Sequence, residues 1–235
     1  MLNYKLAASI LLTFTTVACT TTALPPPAAQ NMPQVSSAAV DSNSQRVREA
    51  LEALSRGGYL IVVRHGATNP DEADVDPFHL ENCGKQRMLS DTGRAQARAV
   101  GKVLQSSAIP VDMVYASRYC RAIETAKLLT ENLHAKPVLA SDDFAEAGQV
   151  VSPNEGRRRN EAMRKLASQM PARGTNNLVV SHRPNIMEAF GADFFNVSEG
   201  EMIVIQPKMG ATAGYEVKWR IKVSDFSAYS KSLNK

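Results

Sequence analysis

Two histidines stand directly behind apolar, β-branched runs. His65 follows the run 59–63 and Arg64, and His182 follows the run 177–181. A third polar cluster, Ser117 to Arg121, follows the apolar run 109–116. A neutral imidazole is a competent nucleophile toward phosphorus. Phosphoryl transfer then needs mainly positive charge and hydrogen-bond donors around the equatorial oxygens. Arg64 and Arg121 offer bidentate forks for a phosphate, and His182 can donate to the same oxygens. Gly66, next to His65, lets the backbone approach a ligand without a Cβ in the way. The histidines lack metal-binding spacings such as His-Glu-x-x-His, and the three cysteines lack zinc-finger spacing. The expected chemistry therefore uses no metal and no cofactor. His79 and His134 have no partner motif around them and are expected at the surface.

These groups meet only if strands and helices bring them together. Val47, Ala50, Leu51 and Leu54 recur at helical spacing over 46–54, and Gly57-Gly58 ends that helix. The run 59–63 is short, apolar and β-branched, as in a strand buried on both faces. Residues 66–88 are long and polar, with Pro70, Pro77 and Gly84, which predicts a functional loop. Ser90 is a good N-cap for a helix reaching Leu104. A strand over 109–116, a helix over 118–133, a short strand over 137–140 and a polar, basic helix over 155–170 follow. Then come a strand over 177–181, a helix over 184–190, a late edge pair of strands at 202–206 and 215–223, and a terminal helix over 225–233. Alternating strands and helices imply an α/β fold of three layers, α/β/α, with a central, mostly parallel sheet. Ligands in such folds gather at the carboxyl ends of the strands, where Arg64-His65-Gly66, Ser117–Arg121 and His182-Arg183 fall.

The blocks resemble the histidine phosphatase superfamily, the phosphoglycerate mutase-like fold, in its branch 1. Arg64-His65-Gly66 with Thr68 looks like the signature loop, and the block from Leu89-Ser90 through Gly93 to Gln96-Ala97 is similar to the next one. Val114 to Ser117, with Arg121-Ala122 and Thr125-Ala126, resembles the third, and Val180-Ser181-His182 the fourth. Four blocks in family order span most of residues 59–190. The resemblance implies that His65 is the nucleophile that becomes phosphohistidine. It makes Arg64, Arg121 and His182 the phosphate pocket, with Thr68 either touching phosphate or shaping the loop. The family carries a carboxylate after its third strand, and Glu146 in Phe144-Ala145-Glu146 is the matching place; Asp74 and Asp76 on the long loop are rivals. Glu146 would protonate the leaving oxygen and then activate water. Two positions depart from the family pattern: Asp71 stands where Asn is usual, and Gln149-Val150-Val151 replaces a Trp-Glu-Gly run. The implied activity is a phosphomonoesterase acting on a phosphorylated small molecule. A phosphoramidate or phosphoprotein phosphatase, a phosphoglycerate-type mutase and a catalytically idle phosphate-binding envelope module are the alternatives.

The first 45 residues read differently. Lys5 and the uncharged stretch 6–18 make a secretory signal, because 13 residues are too few to span a bilayer. Thr16-Val17-Ala18-Cys19 resembles a bacterial lipobox, so Cys19 is the expected lipid site, with plain cleavage as the alternative. Residues 19–45, rich in Thr, Pro, Ala and Ser with Asp41 as their one charge, read as a flexible tether, leaving 46–235 as the folded domain. Such a chain would be exported, periplasmic and anchored to a bacterial membrane through the lipid. In an exported protein the pair Cys83 and Cys120 suggests a disulfide, with two reduced thiols as the alternative. Over 235 residues, 27 Lys and Arg against 23 Asp and Glu leave a net charge of +4. That is too mild to call for nucleic acid, and no aromatic-interleaved basic motif is present. Arg118 is open between a second pocket arginine and a helix-start surface charge, and Arg157-Arg158-Arg159 reads as a solvated helix face.

Overall fold

The computed structural model describes residues 37–76, 79–146, 152–208 and 214–233. The expected signal, Cys19, the expected tether up to residue 36, and Gln149-Val150-Val151 lie outside the described residues. Six strands form one sheet. They are β1 (Leu60–Arg64), β2 (Val111–Ser117), β3 (Leu139–Ser141), β4 (Asn176–Ser181), β5 (Met202–Pro207) and β6 (Tyr215–Ile221). Their order across the sheet is β3-β2-β4-β1-β5-β6. β1 and β2 both run parallel to β4, β3 runs parallel to β2, and β5 is antiparallel to β1 and to β6. The late strands form the expected edge pair.

The helices are α1 (Ser37–Leu54), α2 (Asp91–Ser106), α3 (Cys120–Thr130), α4 (Pro153–Ser168), α5 (Arg183–Phe190) and α6 (Val223–Ser232). Side chains of successive strand residues point to opposite faces, so each apolar strand feeds two cores. Ile61, Val63, Leu178, Val180, Met202 and Val204 pack with buried residues of α1, α2, α3 and α6. Leu60, Val62, Val179, Ile203 and Ile205 pack with α4 and α5 on the other side. This double burial is why β1 and β4 read as continuous apolar runs rather than as alternating ones. The result is a three-layer α/β/α arrangement around a mostly parallel sheet.

The largest boundary difference from expectation is at the first helix. The first helix starts at Ser37, nine residues before the expected start, so the last nine residues assigned to the tether are helical. The cause is tertiary. α1 packs along α6, and Ser44, in a segment too polar to suggest a core, is 6% exposed. The expected helix over 118–133 is trimmed to 120–130, because Tyr119 is extended and its N–H is bound by Ser117 Oγ at 3.2 Å. Ser90 caps α2 by accepting from Gly93 N–H at 3.1 Å.

Candidate active site

The carboxyl ends of β1, β4 and β2 lie side by side, because β4 sits between the other two in the sheet. That adjacency puts His65, His182 and the start of α3 in one place. The His65 and His182 rings lie 5.2 Å apart between centroids, and Tyr119 meets His182 edge-on at 5.0 Å.

His65 is 2% exposed. Its Nδ1 lies 2.9 Å from the Gly66 carbonyl oxygen. A carbonyl only accepts, so Nδ1 carries the hydrogen and Nε2 keeps its lone pair. Burial, with the positive charges of Arg121, Arg64 and Arg87, holds the imidazolium form down to about pH 3, against a smaller opposing effect of the Gly66 bond. At neutral pH His65 is therefore an unprotonated imidazole with its outer nitrogen ready to attack. The loop behind it is braced. The Gly66 N–H donates to Thr125 Oγ1 at 3.0 Å, and the Gly200 N–H donates to the carbonyls of both Arg64 and His65.

His182 is fully buried, and burial followed by the neighbouring His65, Arg121, Arg64 and Arg87 pushes its pKa well below the usual value. Its Nε2 lies 2.8 Å from Ser117 Oγ, and its Nδ1 lies 3.6 Å from Glu146 Oε2. The latter distance suits an ion pair, but a neutral imidazole makes none, and 3.6 Å exceeds a hydrogen bond. Ser117 Oγ accepts from the Tyr119 N–H and keeps a second lone pair, so that bond alone fixes no tautomer of His182; the carboxylate oxygen near Nδ1 favours the hydrogen on that nitrogen, with Ser117 Oγ donating to Nε2. In that tautomer Nδ1 presents an N–H beside Glu146.

Arg121 is fully buried in the first turn of α3. Nη1 donates to Asp74 Oδ1 at 2.8 Å and Nη2 to Glu146 Oε1 at 3.2 Å, and its guanidinium stacks on Tyr119 at 4.3 Å. Arg64 donates from Nη1 to the Val197 carbonyl at 2.8 Å and from Nη2 to Glu199 at 3.3 Å. Six buried side-chain polar atoms lack a hydrogen-bond partner among the described residues, and three of them belong to this cluster: Arg64 Nε, Arg121 Nε and His182 Nδ1. A buried donor left unpaired costs about 1–3 kcal/mol, a cost that an oxygen-rich anion accepting from these groups would offset.

The expected site residues thus divide. His65, His182, Arg64, Arg121 and Glu146 are brought together. Asp74 joins them on Arg121, whereas Asp76 faces His79, 2.9 Å away on the exposed loop. Thr68 donates to Glu199 Oε1 at 3.0 Å and pairs with Leu89 in a short bridge, so it shapes the loop. Arg118 is a surface charge, paired with Asp142 at 3.3 Å and Glu81 at 3.8 Å. Cys83 and Cys120 are joined in a disulfide with Cα atoms 5.7 Å apart, tying the long loop to the residue before Arg121.

Three contributors carried no sequence signal. Glu199, in a turn without periodicity, bonds both Arg64 and Thr68. Arg87 adds its charge to the pocket from the long loop. Arg159 is a correction to the solvated-face reading of 157–159. Its Nη1 donates to the carbonyls of Ala145 and Glu146, both at 3.1 Å, and its Nε donates to Glu155 at 3.0 Å. Asn185 Nδ2 also donates to the Ala145 carbonyl, at 2.9 Å. Among the described residues no group of three or more His, Cys, Asp or Glu could hold a metal ion.

Residues 60–178 match the family model described as Histidine phosphatase superfamily (branch 1). A 69-residue stretch is 32% identical to a phosphoglycerate mutase of Candida albicans, covering 29% of this chain and 26% of that protein. The chain therefore matches about a quarter of that curated relative's length. Similar solved structures include the protein histidine phosphatase SixA complexed with tungstate, at TM-score 0.53 and 14% identity, covering 71% of this chain and 98% of that one. Another is the mycobacterial glucosyl-3-phosphoglycerate phosphatase complexed with VO3, at TM-score 0.51 and 16% identity, covering 71% and 100%. At such identities these two establish a shared fold.

Proposed function

The chain belongs to the histidine phosphatase superfamily, branch 1, and on that premise we propose that it is a phosphomonoesterase working through a phosphohistidine on His65. The observation that carries this reading is the trio of buried, unpartnered donors on Arg64, Arg121 and His182 around a neutral, correctly tautomerised imidazole. In the first step His65 Nε2 attacks phosphorus, the N–P bond forms and the ester P–O bond breaks. Protonated Glu146 gives its proton to the leaving oxygen, so the alcohol departs neutral. The phosphorylated ring carries a positive charge, and its Nδ1–H stays bonded to the Gly66 carbonyl. Glu146, now a carboxylate, takes a proton from water, and the hydroxide attacks phosphorus. Inorganic phosphate leaves and the imidazole returns to neutral. Throughout, arginine and histidine donors hold the equatorial oxygens.

The bond between Glu146 and Arg121 suits this role, since it leaves Oε2 on the His182 side of the pocket. His65→Ala should abolish phosphate release from p-nitrophenyl phosphate, measured under conditions where the wild type turns over many times. Retained turnover would refute the assignment. A mutase would return an isomeric phosphate ester from a phosphoglycerate with no net phosphate release, which the same assay separates.

Export and anchoring belong to the same proposal. Lys5, the uncharged stretch 6–18 and Cys19 support a signal and a lipid site. Radiolabelled palmitate should enter the full-length chain in a bacterial host and not the Cys19→Ala variant; equal labelling of the two would end the idea.

A further inference from the structure

The charges immediately around the two histidines do not add up for an anionic ligand. Arg64 is paired with Glu199, and Arg121 with both Asp74 and Glu146. His65 and His182 are neutral. With Glu146 protonated as the acid, two cations face two carboxylates, so these groups offer no net positive charge, while a phosphate monoester brings close to two negative charges at pH 7. A pocket with no net charge gives such an anion no net Coulomb attraction.

Arg87 changes the balance. Its N–H donates to Asp74 Oδ1 at 3.0 Å, and its carbonyl accepts from Arg121 Nη1 at 3.5 Å. Its backbone thus brackets the Asp74–Arg121 pair at the pocket wall. The side chain is half-buried and has no carboxylate partner among the described residues. Its charge also acts on His65, His182 and Arg64 together. Of the other nearby cations, Arg183 is exposed, stacks on Phe195 at 5.6 Å and bears on Arg64, while Arg118 is paired with Asp142 and Glu81, and Arg159 with Glu155.

The placement of Arg87 is enforced by its neighbours. Gln86 is 5% exposed; its Oε1 accepts from the Cys120 N–H at 2.9 Å, and its Nε2 donates to the Leu80 carbonyl at 2.7 Å. The Cys83–Cys120 disulfide closes the same segment onto the first residue of α3.

We propose that Arg87 is a substrate-binding residue, a third phosphate arginine, held over His65 by the Cys83–Cys120 bridge and Gln86, so that phosphate affinity depends on that bridge. This rests on the phosphomonoesterase reading. Arg87 is the one of the three arginines with no carboxylate to displace, so it meets the incoming phosphate first.

The experiment uses the purified full chain, with p-nitrophenyl phosphate kinetics and orthovanadate binding by calorimetry. Arg87→Gln should raise KM and the vanadate Kd about 10- to 100-fold, the size of one lost charge-assisted bond, with kcat changed far less. Arg87→Met, which keeps the aliphatic stem, should do the same and serves if the Gln variant does not fold. In both, the rise of KM with added NaCl should flatten, which a merely structural role would not produce. Reducing the wild type should raise KM in the same direction, and reducing Arg87→Gln should add little. Unchanged KM and vanadate Kd in both variants, beside an active wild type, would overturn this proposal alone. A wild type that neither turns over nor binds vanadate would overturn the phosphomonoesterase reading and this proposal with it.

Discussion

His65, the proposed nucleophile, is kept neutral by the loss of water around it. Burial comes first among the causes that hold its pKa at about 3, and the surrounding arginines add to it. In the unfolded chain the same ring titrates near 6.5. Between those values the unfolded state binds a proton that the folded state refuses, so stability rises with pH across that window and falls as pH drops from 6.5 toward 3. Fully buried His182 acts in the same direction. Urea unfolding at pH 7 and pH 5 should therefore show a loss of stability at the lower pH that is smaller in His65→Gln. An equal loss in both proteins would mean that His65 is not buried neutral. For the proposed catalysis the consequence is opposite: His65 stays unprotonated at pH 5, so as nucleophile it should set no acidic limb in kcat/KM between pH 5 and 7. A limb remaining after correction for substrate ionisation belongs to another group.

The elements position these residues through a few close approaches. Gly93, in the first turn of α2, lies against the Ala67 backbone of the nucleophile loop, and a Cβ there would overlap the Ala67 carbonyl oxygen. Ser90 clamps the same junction, with its Oγ donating to the Ala67 carbonyl at 3.2 Å and its N–H donating to that oxygen at 3.0 Å. Gly93→Ala should cost about 1–3 kcal/mol by overpacking and lower kcat by shifting the loop that carries His65. Denaturant titration and steady-state kinetics on one preparation check both. The Gly at this place in the second block is thus required by a backbone contact, not by helix geometry, and only the packing of α2 on the loop makes that visible.

At the scale of the whole molecule, the folded domain begins earlier than its composition suggests. A piece covering 37–235 retains α1 against α6, whereas one covering 46–235 cuts the helix in the middle and removes buried Ser44. The shorter piece should melt several degrees lower, in line with about 1–2 kcal/mol lost from a domain of this size. Equal melting temperatures would show that the first turns of α1 add nothing.

Much of the architecture was legible in the chain because it follows from local patterns. Apolar β-branched runs make strands buried on both faces, a Ser N-cap starts α2, and alternation of strand and helix implies a parallel sheet with its site at the carboxyl ends. His65 and His182 were legible for the same reason, since each directly follows a strand, while Arg64 ends β1 and Arg121 lies in the first turn of the helix after β2. What tertiary structure alone decided is which distant groups share those strand ends. Glu199 meets Arg64 and Thr68 across more than 130 residues of chain, Arg159 reaches back from α4 to the Glu146 backbone, and Arg87 brackets the Asp74–Arg121 pair. Glu199 and Arg87 lie on no periodic element, and Arg159 lies on α4, where helical spacing says nothing of its polar partners. Periodicity records which face of an element is buried, while long-range polar pairing depends on strand order, and that order is settled only when the sheet assembles.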